Sequence, residues 1–422
     1  VRPVKVAVVA EFYPRRADPV LGVWAHRQAL ASSEAGADVR VLVLHRVAPP
    51  SAALAGGPRR ATRALAELLG QPHRETRDGL EVTYVRYLSP ARARHYQSWG
   101  AWAAPALALA LRRLRRSFEF DLVHAHNAVP AADAVRRARA GVPLAVSVHG
   151  GDVLYTAPRS EAGRSAVQRN LAAASTVLAN SEGIAELARR YGARDTRVVH
   201  LGADLPEPRA GRSSYVPGNS PALDGSHVVG GSRTPRPPTL VTVGHLVARK
   251  RHADVMRALA VLAKRHPALR YEIVGDGPER PALEALAARL EVAGRVDFRG
   301  QLGHEQAVAA ARACTLFAMP STEEAFGVAY IEAMAGGVPA IGCRGEAGPE
   351  EIAAAGDGFV LVPPGDIERL SQRIDELLSD PNRLREASIR ARETVAANFS
   401  WRRCGEQTLA AYEHALQVGR AR

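Results

Sequence analysis

Two carboxylates eight positions apart, Glu324 and Glu332, stand in the run Pro-Ser-Thr-Glu-Glu-Ala-Phe-Gly-Val-Ala-Tyr-Ile-Glu-Ala-Met-Ala-Gly-Gly-Val-Pro-Ala-Ile-Gly at residues 320–342. Between them an Ala325-Phe326-Gly327 turn gives way to a small, apolar helical run over 328–335. Gly336-Gly337 closes that run, and the residues after it read as a strand. Eight residues make roughly 2.2 helical turns. One carboxylate is therefore expected at the mouth of a helix and the other about two turns along the same side. Free amides at a helix start suit hydroxyl or phosphate oxygens, and a carboxylate deeper in a cleft suits a vicinal diol. Glu324 taken alone reads equally well as part of a solvated Glu-Glu pair.

The elements that must hold such a run are legible along the whole chain. Strand-like runs at 5–10, 39–44, 81–86, 122–125, 144–148, 176–179 and 197–200 alternate with helical runs that include 23–34, 101–116, 131–140 and 184–190. A second series has strands at 239–243, 271–274, 296–298, 315–319 and 339–341, with helices at 252–265, 279–290, 305–312 and 328–335. Two long helical segments, 381–398 and 401–418, end the chain. This alternation predicts parallel sheets covered by helices, an α/β class. At 422 residues the chain exceeds one ordinary core. The Pro/Gly/Ser-rich stretch 206–238 has no periodicity and reads as a flexible linker. The expected domains are 1–205 and 239–398 on either side of it, with 399–422 as a final helix.

Several further motifs sit at strand ends. Val241-Thr-Val-Gly-His-Leu-Val-Ala-Arg-Lys250 follows a strand with His245 and Lys250. Ile273-Val-Gly-Asp-Gly-Pro-Glu279 is a tight turn around Gly275, and it lacks the third glycine of a dinucleotide fingerprint because Arg280 stands there. Gly22 precedes an amphipathic helix, where a backbone without Cβ lets phosphate approach. Ala145-Val-Ser-Val-His149-Gly-Gly-Asp152 puts His149 at the carboxyl end of a parallel strand, where open α/β sheets keep their ligand crevice. His124-Ala-His126 also ends a strand, and its imidazoles are expected on opposite faces, so no metal ligation is expected there.

Together these segments resemble glycosyltransferase family 4, the retaining nucleotide-sugar transferases of GT-B architecture. The resemblance implies two Rossmann-like parallel-sheet domains facing each other across a cleft, and a final helix that crosses back onto the first domain. Carried over residue by residue, it implies that Glu324 positions the donor sugar, Glu332 holds the ribose, and Lys250 with His245 holds the diphosphate. His245 departs from the family, where Arg is commoner. Gly22, Gly275, Ala325, Phe326 and Gly327 belong to the donor site, with Arg299 and Leu302 near the base and His149 near the reaction centre. His126 and Asp152 are left as acceptor-side candidates. The implied reaction moves a sugar from a nucleoside diphosphate to a hydroxyl of a glycan, a lipid-linked sugar or a small molecule, in cell-envelope, glycolipid or secondary-metabolite glycoside synthesis. No metal or cofactor is expected, since no Asp-x-Asp motif is present. A GT-B sugar-nucleotide epimerase and a catalytically silent membrane-associated partner protein are the alternatives.

Composition adds partners and compartment. The three cysteines, Cys314, Cys343 and Cys404, are scattered and odd in number, which fits a reducing cytoplasm. The first ten residues read as a buried strand, because Glu11 and Arg15-Arg16 follow at once. Of the net charge of +13, residues 1–205 supply +12, from 29 Lys+Arg against 17 Asp+Glu. Residues 82–118 hold seven arginines and no acid, together with Trp99 and Trp102. That combination makes an anionic membrane surface a candidate partner and the inner membrane face a candidate location, while a core helix with a solvated basic end explains the same residues. No nucleic-acid partner is expected.

Overall fold

The computed structural model describes residues 2–49, 51–206, 226–229, 232–235 and 237–420. The chain divides into two compact units, Val1–Leu201 with Trp401–Arg422, and Gly202–Ser400. In the first unit, eight strands form one sheet: β1 (Lys5–Ala10), β2 (Asp38–Arg46), β3 (Arg74–Arg77), β4 (Leu80–Tyr87), β5 (Leu122–His126), β6 (Leu144–Val148), β7 (Thr176–Ala179) and β8 (Thr196–Val198). Their order is β3-β4-β2-β1-β5-β6-β7-β8, parallel except for the β3–β4 edge. Val6 to Ala10 are wholly buried. Such continuous burial, without alternation, is the mark of a sheet covered by helices on both faces.

The last helix, Trp401–Arg420, belongs to this first unit. It lies tight on helix Val23–Glu34, because Gly405 has no Cβ; one placed there would stand 2.1 Å from the Ala31 carbonyl oxygen. Gln28 Nε2 donates to Thr408 Oγ1 across the same contact at 3.1 Å.

The second unit carries β11 (Thr239–Val243), β12 (Arg270–Val274), β13 (Val296–Gly300), β14 (Leu316–Ala318), β15 (Ala340–Cys343) and β16 (Phe359–Val362). They form a six-stranded sheet of order β13-β12-β11-β14-β15-β16, parallel throughout. Leu240, Leu259, Tyr271, Ile273 and Leu316 fill its core at 0% exposure.

In each unit the chain builds strands outward on one side, then returns to the middle and builds the other way. The reversal lies between β1 and β5 in the first unit and between β11 and β14 in the second. Loops leaving neighbouring strands in opposite directions leave a crevice at the carboxyl ends, which is where ligands bind in such sheets.

Some elements differ from expectation. Strand β3 reads Arg-Glu-Thr-Arg, with no apolar residue to signal it, and exists as an edge paired to β4. Strand β16 is a four-residue apolar run, too short for periodicity to assign. Most of 206–238 lies outside the described residues; within it β9 (Ser226–Val229) and β10 (Ser232–Pro235) pair antiparallel. Trp99 does not face solvent. It is 3% exposed, its indole N–H donates to the Pro90 carbonyl at 3.0 Å, and it packs edge-on against Tyr96. Trp102 and the arginines 112, 113, 115 and 116 are exposed. Among the described residues no helix is long and apolar enough to cross a membrane.

Candidate functional site

In the second unit, the reversal between β11 and β14 brings together residues 74 positions apart. Lys250 follows β11, and Glu324 follows β14. Lys250 Nζ stands 2.6 Å from Glu324 Oε2, with both side chains nearly buried. The same oxygen accepts from Ser321 Oγ at 2.9 Å, and Lys250 Nζ also lies 3.6 Å from Met319 Sδ. Ser321 Oγ lies 3.1 Å from the Tyr330 hydroxyl, which donates its proton to the Met319 carbonyl. Burial alone would raise the Glu324 pKa, but the Lys250 ammonium and the Ser321 hydroxyl outweigh it and hold the carboxyl below its ordinary range.

Gly327 makes this turn possible. It sits in the left-handed region at φ 90 as N-cap of helix Val328–Ala335, and a Cβ there would stand 2.3 Å from the Tyr330 ring. Phe326 is 1% exposed and packs edge-on against Phe399, and Ala325 is buried beside it. The Glu324 amide is not free, since it donates to Glu346 Oε2 at 2.8 Å. Glu332 lies inside the helix with its carboxylate 3.6 Å from His304 Nε2, so the two carboxylates are held by different partners.

The loops after β11 and β12 zip together around Gly275. Gly244 N donates to Val274 O at 2.9 Å and Leu246 N to Asp276 O at 3.1 Å. A Cβ on Gly275, at φ 139, would stand 2.1 Å from the Gly244 carbonyl oxygen. His245 is exposed on this loop, and its carbonyl accepts from His252 Nε2 at 3.3 Å. Arg299 is turned along the sheet instead. It bonds Glu272 at 3.1 Å and, with Leu302, lines a hollow of about 440 Å³ over the faces of β11 and β12.

In the first unit, the reversal between β1 and β5 gathers a different set. His126 Nδ1 and His149 Nε2 lie 3.0 Å apart, and the rings stack with 3° between their planes. His124 and His126 are on one face with ring centroids 4.5 Å apart, against the expectation of opposite faces. The reason is simple: side chains alternate along a strand, so residues two apart point the same way. His124 hydrogen-bonds the Tyr412 hydroxyl and Ser147 Oγ, both at 2.8 Å. Burial keeps the cluster neutral, lowering His149 to about 4 and His124 to about 3, with the His149 imidazole adding to the effect on His124. Among the described residues, no group of three or more His, Cys, Asp or Glu side chains is placed to hold a metal ion.

Asp152 is committed to the backbone, its two oxygens accepting from the Ala128 and Val129 amides at 2.9 and 3.1 Å. Burial nevertheless pushes its carboxyl up to about 7. Gly22 caps helix Val23–Glu34 at φ 66, and a Cβ there would stand 2.2 Å from the Phe12 carbonyl carbon. Sequence reasoning missed Ser321, Tyr330 and Glu346 in the second unit and Glu11, Arg92 and Asn127 in the first. Glu11 carried a signal, since a charge directly after a wholly buried strand needs a partner there.

The first half of the chain, residues 4–207, matches the family described as Glycosyltransferase Family 4, and residues 231–394 match Glycosyl transferases group 1. The D-inositol 3-phosphate glycosyltransferase of Nocardia farcinica (strain IFM 10152) is 31% identical over 373 residues, covering 84% of this chain and 80% of that protein. The chain is a family 4 glycosyltransferase. The 2-deoxystreptamine glucosyltransferase of Streptomyces kanamyceticus is 29% identical over 75% of this chain and 83% of its own length. Among solved structures, Anabaena HepE in complex with UDP and glucose superposes with a TM-score of 0.67 at 19% identity, covering 97% of this chain and 99% of that one. The two parallel-sheet units of this family 4 glycosyltransferase are accordingly those of the GT-B fold.

Proposed function

We propose that this glycosyltransferase moves a sugar from a nucleoside diphosphate sugar, bound by the second unit, to a hydroxyl of a polyol acceptor bound by the first, with retention of the anomeric configuration. The observation that carries the donor assignment is the Lys250–Glu324 pair at the β11/β14 reversal. A buried ammonium beside two glycine turns supplies the fixed positive charge that a leaving diphosphate requires. In this reading Glu324 and the turn Ala325-Phe326-Gly327 position the sugar, Glu332 holds the ribose, and His245, Gly275 and Lys250 face the diphosphate. His149 contributes a neutral imidazole that hydrogen-bonds without adding charge. A UDP-bound structure of the same fold supports a nucleotide in this role.

The resemblance to family 4 implies retention, and the way Glu324 is held bears on its route. A carboxylate tied to Lys250 and Ser321 is suited to orienting the sugar and poorly suited to attack it as a nucleophile. The bond from the anomeric carbon to the diphosphate oxygen breaks, the acceptor oxygen forms the new bond on the same face, and the acceptor proton passes to the departing diphosphate. A cyclitol acceptor is supported by the names of the two relatives, one acting on an inositol phosphate and one on 2-deoxystreptamine, an amine.

A thermal-shift screen across nucleotide sugars tests the donor. A ligand at 100 times its Kd adds about 2.7 kcal/mol of stability. No stabilisation by any of them would end the reading. NMR of the product linkage then tests retention, and donor turnover without acceptor would point to epimerisation instead.

A further inference from the structure

The first unit holds a cavity of about 460 Å³ at the β1/β5 reversal, and its lining includes none of the donor-side residues. Its walls include Phe12, Arg92, Asn127, Tyr155, Thr156 and Arg159. We propose that this cavity is the acceptor site and that it selects an anionic, phosphate-bearing polyol over a neutral or amine-bearing one, with Arg159 and Arg92 as the specificity-determining residues. The inference rests on the glycosyltransferase reading above and names the acceptor class for it.

Arg92 is held in place before any ligand arrives. Its guanidinium lies 4.3 Å from the Tyr96 ring centroid and 5.1 Å from that of Phe12. Beneath it, Glu11 Oε1 stands at 3.7 Å, while the other Glu11 oxygen accepts from the Tyr96 hydroxyl at 2.7 Å. A guanidinium carries five N–H donors, so a single carboxylate contact at that distance leaves most of them for a ligand. Arg159 is exposed, and among the described residues no carboxylate lies within ion-pairing distance of it. Its position is set by a tight corner. Ser160 Oγ caps the next helix by accepting from Gly163 N at 3.0 Å, and a Cβ on Gly163 would stand 2.1 Å from the Thr156 carbonyl oxygen.

The acids near the cavity offset Arg92 in part, through Glu11, and among the described residues leave Arg159 without a counter-charge. Asp152 reaches the lining, but both of its oxygens are occupied by backbone amides. Glu11 is 6% exposed and already shared between Tyr96 and Arg92. An incoming ammonium would therefore meet two guanidinium groups and no free carboxylate. A phosphate would meet two donors of the fork geometry that binds its oxygens in pairs. Asn127, at the end of β5 with φ 77, offers a strained and buried amide to the polyol. Strain of that kind in a non-glycine residue persists where the surrounding structure enforces it, and such residues gather at ligand sites.

Titration calorimetry of the full chain, without nucleotide, distinguishes the possibilities with four probes: an inositol monophosphate, inositol, inorganic phosphate and 2-deoxystreptamine. We expect the inositol monophosphate to bind at least about tenfold more tightly than inositol, the scale of one hydrogen bond to a charged group. Arg159→Gln should remove most of that margin and leave inositol binding as it was, while Arg159→Lys should restore part of it. Equal affinities for inositol and its phosphate, a preference for the amine, or a margin that survives Arg159→Gln would each overturn the proposal. Inorganic phosphate binding as tightly as the inositol monophosphate would also overturn it, because the site would then recognise only an anion. A parallel titration with UDP reads the second unit separately, so loss of nucleotide binding would count against the donor reading and leave the acceptor measurement standing.

Discussion

The two units are built alike and place their polar groups at the same topological position, yet they handle charge in opposite ways. At the β11/β14 reversal the second unit buries an ammonium and a carboxylate against each other, and a hydroxyl completes the set. At the β1/β5 reversal the first unit buries three imidazoles that burial strips of charge, and it keeps its cations at the wall of an open cavity. A paired charge can exchange its partner for a ligand at little desolvation cost, since the ligand replaces an interaction already present. Neutral donors and acceptors orient hydroxyls without attracting a diphosphate. The difference is what a donor that leaves as an anion and an acceptor that arrives as a polyol would each require.

Acid should break this symmetry first and by the largest margin. In the first unit burial lowers the pKa of His26, His45, His124, His126 and His149, so below about 6.5 the unfolded chain takes up five protons that the folded unit resists. Glu11 and Asp152 act in the opposite sense, because burial raises both and the folded unit then holds two protons that the unfolded chain releases above the ordinary carboxyl range. The histidines outnumber the two acids, so stability falls as pH drops below about 6.5, by about 1.4 kcal/mol per pH unit for each net proton taken up on unfolding. In the second unit His252 is lowered to about 4, a single proton in the same sense. Glu324, whose pKa is lowered, keeps its contribution until pH falls below the ordinary carboxyl range. Hydrogen exchange at pH 7 and pH 5 should therefore show β5 and β6 losing protection well before β11 and β14. Equal loss in both sheets would refute the contrast.

The next largest effect concerns the paired charge. Lys250→Ala removes the fixed cation and leaves Glu324 buried beside Ser321 alone. Loss of one such stabiliser of developing charge typically costs about 10²–10³ in rate. Steady-state turnover with a saturating nucleotide sugar checks this, and a loss below threefold would take Lys250 out of the reaction. Glu324→Gln sharpens the point, since it keeps the shape while leaving the ammonium without its counter-ion.

How far this contrast could be read beforehand depended on what each unit uses. The second unit's site lies on runs of unusual sequence, a glutamate turn and a lysine loop, where residue type alone limits the chemistry. Pairing of Lys250 with Glu324 was not legible, because it depends on β11 and β14 being neighbours, and strand order is not written in local spacing. In the first unit the strands themselves were clear, since wholly buried parallel strands read as apolar runs. Their side-chain directions were misjudged at His124 and His126, where the period of two puts both rings on one face. Arg92 and Arg159 stood among many arginines, and only the cavity separates them from solvated ones. Short or polar elements such as β3 and β16 carried too little apolar pattern to be assigned.

Glycine substitutions compare the two units at smaller scale. Gly22→Ala and Gly275→Ala each force a side chain into positive φ and into backbone atoms 2.2 and 2.1 Å away. Strain and overpacking together should cost about 3 kcal/mol at either site. Gly57→Ala shares the positive φ, at 92, but meets nothing within 4 Å, so it should cost about 1 kcal/mol. Chemical denaturation followed unit by unit would check that each change weakens its own sheet. A Gly275 variant as stable as the Gly57 one would mean that the β11 and β12 loops are free to part.

The smallest effect is expected at Arg299, where the stability and binding roles separate cleanly. Its guanidinium is 44% exposed and pairs with Glu272, itself 30% exposed, and with Asp297 at 3.7 Å. Exposed ion pairs contribute at most about 1 kcal/mol, so Arg299→Ala should shift the unfolding midpoint little. If the same side chain holds the nucleotide base, the Kd for nucleotide rises by more than that ion pair is worth, and about tenfold corresponds to 1.4 kcal/mol. We expect a several-fold weaker nucleotide with near-native stability. An unchanged Kd would confine Arg299 to the sheet face it lies on and leave nucleotide binding to the loops around Gly275 and Lys250.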